Sequence, residues 1–253
     1  MITMDITGTL VSFKGSLSQH YLGSAKKCGV EIPENAPFNT AFHQAYKETS
    51  RLYPCFGGNK MSAKEWWKIC VSRSFELAGA EMTEDQQDHV FQRIYSTFGS
   101  QAAYEKFDDA VPFLHWAKRH NLVCGVLSNA DERYGDSILP MLGMTHDELQ
   151  FQCYSKDLML EKPDARFFFA AMQKGTQWLP DPSDEILSSQ VLHIGNDYFK
   201  DFEGARRTGM HAVLLDRYEE IELAEEWRRR GAPVMKGLMD VVEFLGRSGT
   251  EFG

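Results

Sequence analysis

A chain of 253 residues, 43% hydrophobic, 12% aromatic and 25% charged, carries enough apolar mass for one large domain or a core with a smaller insert, which excludes disorder over most of its length. A formal net charge of -9 excludes general electrostatic attraction to nucleic acid or an anionic membrane, though a small basic pocket for one anion stays compatible with it. Five separated cysteines (Cys28, Cys55, Cys70, Cys124, Cys153) form no CxxC and no Cys/His zinc pattern, which reads as reduced thiols of a cytoplasmic protein.

No run of about 18 apolar residues is present to span a bilayer, and no basic segment followed by a long apolar one opens the chain. The expected partners are therefore small molecules, with neither nucleic acid nor membrane among them, and the expected state is monomer or homodimer.

The chain opens with the short apolar run MITM, ending at Asp5, with Gly8 three residues on. From about Ser16 to Tyr104 the reading is helical, with apolar residues at helical spacing in 17–27, 38–52, 63–78 and 85–98. Ser62 and Thr83 stand where they can cap two of these runs. Gly29, Gly57-Gly58 and Gly79 punctuate the ends.

After Tyr104 the texture alternates. Helices are expected at 109–120, 133–142, 165–178 and 201–208, and short apolar strands at 122–127, 151–154, 191–194 and 212–215. A charged stretch, 219–230, reads as a solvated helix face. Alternating strands and helices give an α/β fold: a Rossmann-like, doubly wound parallel sheet with right-handed crossovers. The core is expected over 1–14 and 105–253, with an all-helical cap over 15–104.

In such sheets the active residues gather at the carboxyl ends of the strands. There the sequence places Asp5, Ser128-Asn129 and Asn196-Asp197, with Lys162 in the loop before a helix. A carboxylate at Asp5 can act as a nucleophile on phosphorus or carbon, and the backbone N–H groups of Ile6, Thr7 and Gly8 can meet an oxyanion. Ser128 can offer a hydroxyl to a phosphate oxygen. Lys162 can neutralise phosphate and carboxylate charge. Asp197 and Asp201, four apart, share a face if a helix starts there, and with Asp5 could bind a hard cation. Each feature alone has a bland reading as a turn former, a loop lysine or an acidic first helical turn.

Together, Asp5-x-Thr7-Gly-Thr9-Leu, Ser128-Asn129, Lys162-Pro163 and Gly195-x-Asp197-x-x-x-Asp201 resemble the four motifs of the haloacid dehalogenase-like hydrolase superfamily. The helical block after the first motif resembles the cap of its first subfamily. The resemblance implies phosphoryl transfer to Asp5 and hydrolysis of the aspartyl phosphate, acting on a small phosphorylated metabolite. It implies that Ser128, Asn129 and Lys162 hold the phosphoryl group together with the turn at Ile6, Thr7 and Gly8. It also implies magnesium (Mg2+), bound by Asp5, the backbone carbonyl of Thr7 and an acid of the fourth motif. The cap would close over the substrate, and His43, Tyr46, Arg51, Trp66 and Trp67 are its candidate ligand-facing residues, with helix packing the better reading for the tryptophans.

Two positions depart from the pattern. Thr7 stands where the family's phosphatases usually carry a second Asp as general acid and base, and Asn196 stands where the fourth motif usually has Asp. Either Asn196 offers a neutral oxygen to the metal or Asp197 takes over that role. Alternative readings are a weak or non-catalytic binding protein and a metal-free 2-haloacid dehalogenase, in which the same Asp attacks carbon.

Overall fold

A computed structural model describes residues 1–33, 35–181 and 183–247 of the chain. They form two compact units: Met1–Ser12, Lys106–Asn129 and the chain from Gly143 onward in one, Phe13–Glu105 and Ala130–Leu142 in the other.

The first unit is an α/β sheet layer. Six strands, β1 (Ile2–Met4), β4 (Cys124–Ser128), β5 (Phe151–Tyr154), β6 (Leu192–Gly195), β7 (His211–Leu215) and β8 (Val234–Met235), lie in the order β5-β4-β1-β6-β7-β8. Every pairing is parallel. β1, β4 and β6 are buried along their whole length, as expected for a parallel sheet covered on both faces and as their near-continuous apolar sequences required. In register, Thr3 of β1 faces His193 of β6, and Met4 faces Val126 and Ile194. A core cluster that includes Leu127, Cys153, Phe167, Phe168, Ala171 and Leu214 is buried in this unit. Burial of an aromatic of that kind contributes about 1.5–3 kcal/mol.

Helices Ala110–Arg119, Ala165–Thr176, Ile221–Arg229 and Leu238–Arg247 belong to this unit. The last of them, like β8, has no counterpart in the sequence reading. β8 is two residues long, too short to show a period. The strands β2 (Val11–Phe13) and β3 (Tyr104–Lys106), which pair with each other, escaped for the same reason.

Four helices, Leu17–Lys27, Phe38–Leu52, Ala63–Leu77 and Glu84–Thr97, build the second unit. Three begin with a reciprocal capping box: Ser16 with Gln19, Ser62 with Glu65, and Thr83 with Gln86. Each box satisfies two otherwise orphaned donors. The interior is aromatic. Tyr21 packs on Phe38, Phe42 and Phe75 with ring centroids 5.6, 5.5 and 6.3 Å apart.

Residues 130–142, expected in the core, belong instead to this helical unit. The reason is a set of contacts invisible to hydrophobic periodicity. Asp131 accepts a hydrogen bond from Trp67 Nε1 at 2.7 Å, the Arg133 guanidinium lies 4.4 Å over the Tyr95 ring, and Tyr134 meets Tyr104 at 5.7 Å. Two expected helices also begin differently. Tyr134–Ile138 and Tyr198–Glu203 are π-helical turns. In the second, Phe202 N–H reaches back five residues to the Asp197 carbonyl, while the Asp197 side chain caps the first turn.

Candidate active site

Three parallel strands end side by side, and the next residue on each is polar: Asp5 after Met4, Asn129 after Ser128, Asn196 after Gly195. Asp5 is tied to the sheet by its N–H, which donates to the Ile194 carbonyl at 2.9 Å. Its Oδ1 accepts from Lys162 Nζ at 2.7 Å, and the same ammonium donates to Asp201 Oδ1 at 2.6 Å. Lys162 is 3% exposed and Asp201 2%. A buried cation bridging two carboxylates is stable only because each partner offsets the other's desolvation. Burial alone would depress the Lys162 pKa, but Asp201 and Asp5 outweigh it and hold it above the usual lysine range. Burial alone would raise Asp201, but Lys162 and His193 outweigh it and hold that carboxyl far below the usual range.

Lys162 is aimed by Asn129, whose Oδ1 accepts from the Lys162 N–H at 2.7 Å while its Nδ2 donates to the Lys162 carbonyl at 3.0 Å. Both ends of the Asn129 amide are thus engaged with the backbone of one residue. Asn129 positions the backbone that carries the lysine. Ser128, 5% exposed, closes β4 next to it.

The turn after Asp5 is wound tightly around the Ile6 carbonyl, which accepts from the N–H groups of Thr9, Leu10 and Val11 at 3.1, 2.8 and 3.0 Å. Gly8 N–H donates to the Val11 carbonyl at 2.8 Å, so it is taken up inside the turn. Gly8 itself is required, with φ +79° and with a β-carbon there falling 2.2 Å from Asn196 Nδ2. Thr7 makes an isolated bridge to Val11.

Fourth-motif residues are arranged differently from expectation. Asp197 Oδ1 accepts from the N–H groups of Phe199 and Lys200 at 3.0 and 2.9 Å, and Oδ2 pairs with Lys200 Nζ at 3.0 Å. Its carboxylate caps the following turn. Asp201 is saturated: Oδ1 meets Lys162 and His193, and Oδ2 accepts from the N–H groups of Asn196 and Asp197 at 3.0 and 2.9 Å. It shapes the turn and holds the lysine. Among the described residues no group of three His, Cys, Asp or Glu side chains could hold a metal ion.

Two features were missed. His193, fully buried, touches Asp201 at 3.1 Å and Thr3 Oγ1 at 2.9 Å. The available signal was a polar residue in the middle of each of two apolar strands, MITM and VLHI. Arg217 forks onto Asp109 at 2.7 and 2.8 Å and donates to the Thr9 carbonyl at 2.8 Å, bracing the Asp5 turn from a loop that carried no motif.

In the helical unit, Trp66 donates to the Tyr53 carbonyl at 2.8 Å and is 1% exposed, so it packs. Tyr46 meets Trp66 edge-on and Trp67 at a tilt, and His43 and Arg51 are exposed. Trp67, Tyr95, Phe98, Tyr104, Arg133 and Tyr134 line part of a cavity of about 60 Å³ in that unit, which includes no residue of the Asp5 cluster.

A family profile for haloacid dehalogenase-like hydrolases matches residues 1–209. The chain belongs to the haloacid dehalogenase-like hydrolases. It is similar to the haloacid dehalogenase-like hydrolase domain-containing protein 3 of Mus musculus, 28% identical over 225 residues, covering 88% of this chain and 84% of that one. Among solved structures, the putative HAD-hydrolase YfnB from Bacillus subtilis, bound to magnesium, superposes with a TM-score of 0.63 at 12% identity over 97% of both chains. The 2-haloacid dehalogenase from Pseudomonas syringae does so at 0.63 and 18% identity over 98% of both. At these identities the structural likeness establishes the fold of a haloacid dehalogenase-like hydrolase and nothing finer. Among the described residues, no helix of this hydrolase is long and apolar enough to cross a membrane.

Proposed function

We propose that this hydrolase cleaves phosphate monoesters of a small metabolite through an aspartyl phosphate on Asp5. The observation that carries this reading is the Lys162 ammonium held between Asp5 at 2.7 Å and Asp201 at 2.6 Å. It places a fixed cation where an attacking carboxylate and a phosphoryl group would otherwise repel each other.

In this reading an Asp5 oxygen attacks phosphorus, the P–O bond to the leaving group breaks, and the leaving oxygen departs with the bonding pair. Lys162 and the Ser128 hydroxyl hold phosphoryl oxygens, with the Ile6 N–H as a further donor. Water then attacks phosphorus, freeing inorganic phosphate and Asp5. Thr7 carries no group that titrates near neutrality, so the leaving oxygen takes its proton from solvent. Absence of a general acid typically costs about 10²–10⁴-fold, which favours substrates with acidic leaving groups, such as aryl and acyl phosphates.

Magnesium fits this donor set in a reduced form. Such ions are commonly held by one or two carboxylates plus substrate phosphate and water. Here Asp5 supplies the carboxylate, and Asn196, packed against Gly8 beside the Asp5 turn, supplies a neutral oxygen. The Thr7 carbonyl is the remaining donor that family resemblance suggests. When bound, the ion would offset the charge of the phosphate.

Attack of Asp5 on the carbon of a 2-haloacid is the second reading, favoured by Thr7, since that chemistry needs no acid at this position. Labelling separates the two. Incubation with radiolabelled acetyl phosphate and acid quenching is expected to leave covalent label on the wild-type protein and none on Asp5→Asn. Equal label on both proteins, or none on either, would overturn the phosphatase reading.

A further inference from the structure

Two polar side chains sit in the middle of the two central strands of the sheet. Thr3 and His193 are 1% and 0% exposed and are register partners across β1 and β6. Polar groups in such a place weaken a parallel sheet unless both are hydrogen-bonded. Here they are linked: Thr3 Oγ1 lies 2.9 Å from His193 Nδ1, and His193 Nε2 lies 3.1 Å from Asp201 Oδ1. Phe168 closes the ring edge-on at 5.3 Å.

Chemistry fixes the direction of each bond. Asp201 is ionised and can only accept, so Nε2 must carry the imidazole proton. Full burial disfavours the imidazolium, so Nδ1 is a lone pair and the Thr3 hydroxyl donates to it. The Asp201 oxygen that receives His193 is the one that receives Lys162 at 2.6 Å, and the other oxygen takes the Asn196 and Asp197 N–H groups. With four donors converging, the carboxylate has one orientation. Without His193, Oδ1 would lose one of its two donors, and the carboxylate could turn about its bond and carry the lysine with it.

We propose that His193, locked by Thr3 in the Nε2–H tautomer, is a positioning residue that fixes Asp201 and, through it, the Lys162 ammonium against Asp5. The consequence for turnover rests on the phosphatase reading above; the tautomer does not. A relay of this kind acts on the attack geometry and not on substrate affinity, so its loss shows in kcat. It also explains why an otherwise apolar strand, Val-Leu-His-Ile, carries a histidine at a place where leucine would pack with less desolvation.

The test uses the full-length protein with p-nitrophenyl phosphate and magnesium, together with nitrogen NMR of the imidazole. His193→Leu and Thr3→Val are expected to lower kcat on the order of tenfold to a hundredfold with KM nearly unchanged. Thr3→Ser, which keeps the hydroxyl, restores most of the loss. The spectra of the wild type should show a single neutral Nε2–H form for His193. Wild-type kcat in Thr3→Val and His193→Leu, an equal fall in Thr3→Ser and Thr3→Val, or an Nδ1–H tautomer would each overturn the proposal. If the wild type turns over no phosphate ester, the phosphatase reading fails by itself, and the spectra still decide whether His193 is held as described.

Discussion

Asn196 lies so close over Gly8 that a β-carbon at position 8 would come within 2.2 Å of its amide nitrogen and 2.8 Å of its Cγ. Two loops, one after β1 and one after β6, therefore meet through a side chain on one and the absence of a side chain on the other. The turn that presents Asp5 is also held by Arg217, which donates to the Thr9 carbonyl at 2.8 Å. The Asp5 turn and the turn after β6 are thus held together by packing.

Gly8→Ala must therefore either displace Asn196 or distort the turn, in a backbone region at φ +79° that alanine adopts with strain. The expected cost is about 1–3 kcal/mol, read as a lowered urea midpoint. Adding Asn196→Ala should recover the steric part, giving a non-additive double-mutant cycle. Additive losses would show that the two residues are not in contact.

The buried ions set a pH window for stability. The Asp201 carboxyl is held far below its usual range, where burial alone would raise it but Lys162 and His193 prevail. The folded protein therefore binds fewer protons than the unfolded chain, and its contribution, present above an unfolded pKa of about 4, is lost on acidification. His193 is depressed as well, by burial, against the pull of Asp201, so loss begins as pH falls below about 6.5. Lys162 is raised, so its contribution is present below about 10.4 and lost as pH climbs through the folded value. The urea midpoint is expected to hold between about pH 6.5 and 10 and to fall on both sides. His193→Asn should flatten the segment just below neutrality. A midpoint that rises on acidification from pH 6.5 would contradict this, by the same linkage.

In the helical unit, Asp131 is 1% exposed and accepts from Trp67 at 2.7 Å and from Arg133 at 2.9 and 2.8 Å. Asp131→Asn leaves the largely buried Arg133 guanidinium without its counter-charge. Breaking one side of such a buried pair costs about 3–5 kcal/mol. A lowered melting temperature with altered tryptophan fluorescence is expected, and unchanged stability would show that Arg133 finds another partner.

Much of this was legible in the sequence, for identifiable reasons. The helices at 17–27, 38–52 and 63–77 carry long amphipathic repeats, the last with Ser62 as its cap, and the strands β4 to β7 further on are short apolar runs. Asp5, singled out at a strand end, and Lys162, singled out in a loop before a helix, lie 2.7 Å apart in the fold. For Asp197 and Asp201, spacing reports that two carboxylates can share a helical face but not that one caps the turn and the other meets Lys162, His193 and two N–H groups. Thr3, His193 and Arg217 stayed hidden because their partners are 190, 8 and 108 residues away, and only the folded register brings them together.

The measurement that tests the central claim most directly is release of p-nitrophenol from p-nitrophenyl phosphate with magnesium, comparing wild type, Asp5→Asn and Thr7→Asp. The expected result is measurable wild-type turnover, its loss in Asp5→Asn, and a gain in Thr7→Asp that is larger for alkyl than for aryl phosphates, up to about 10²–10⁴-fold where proton transfer to the leaving group is limiting. Turnover by Asp5→Asn equal to that of the wild type, or no turnover by any of the three, would contradict the assignment of Asp5 as the attacking group of a phosphatase.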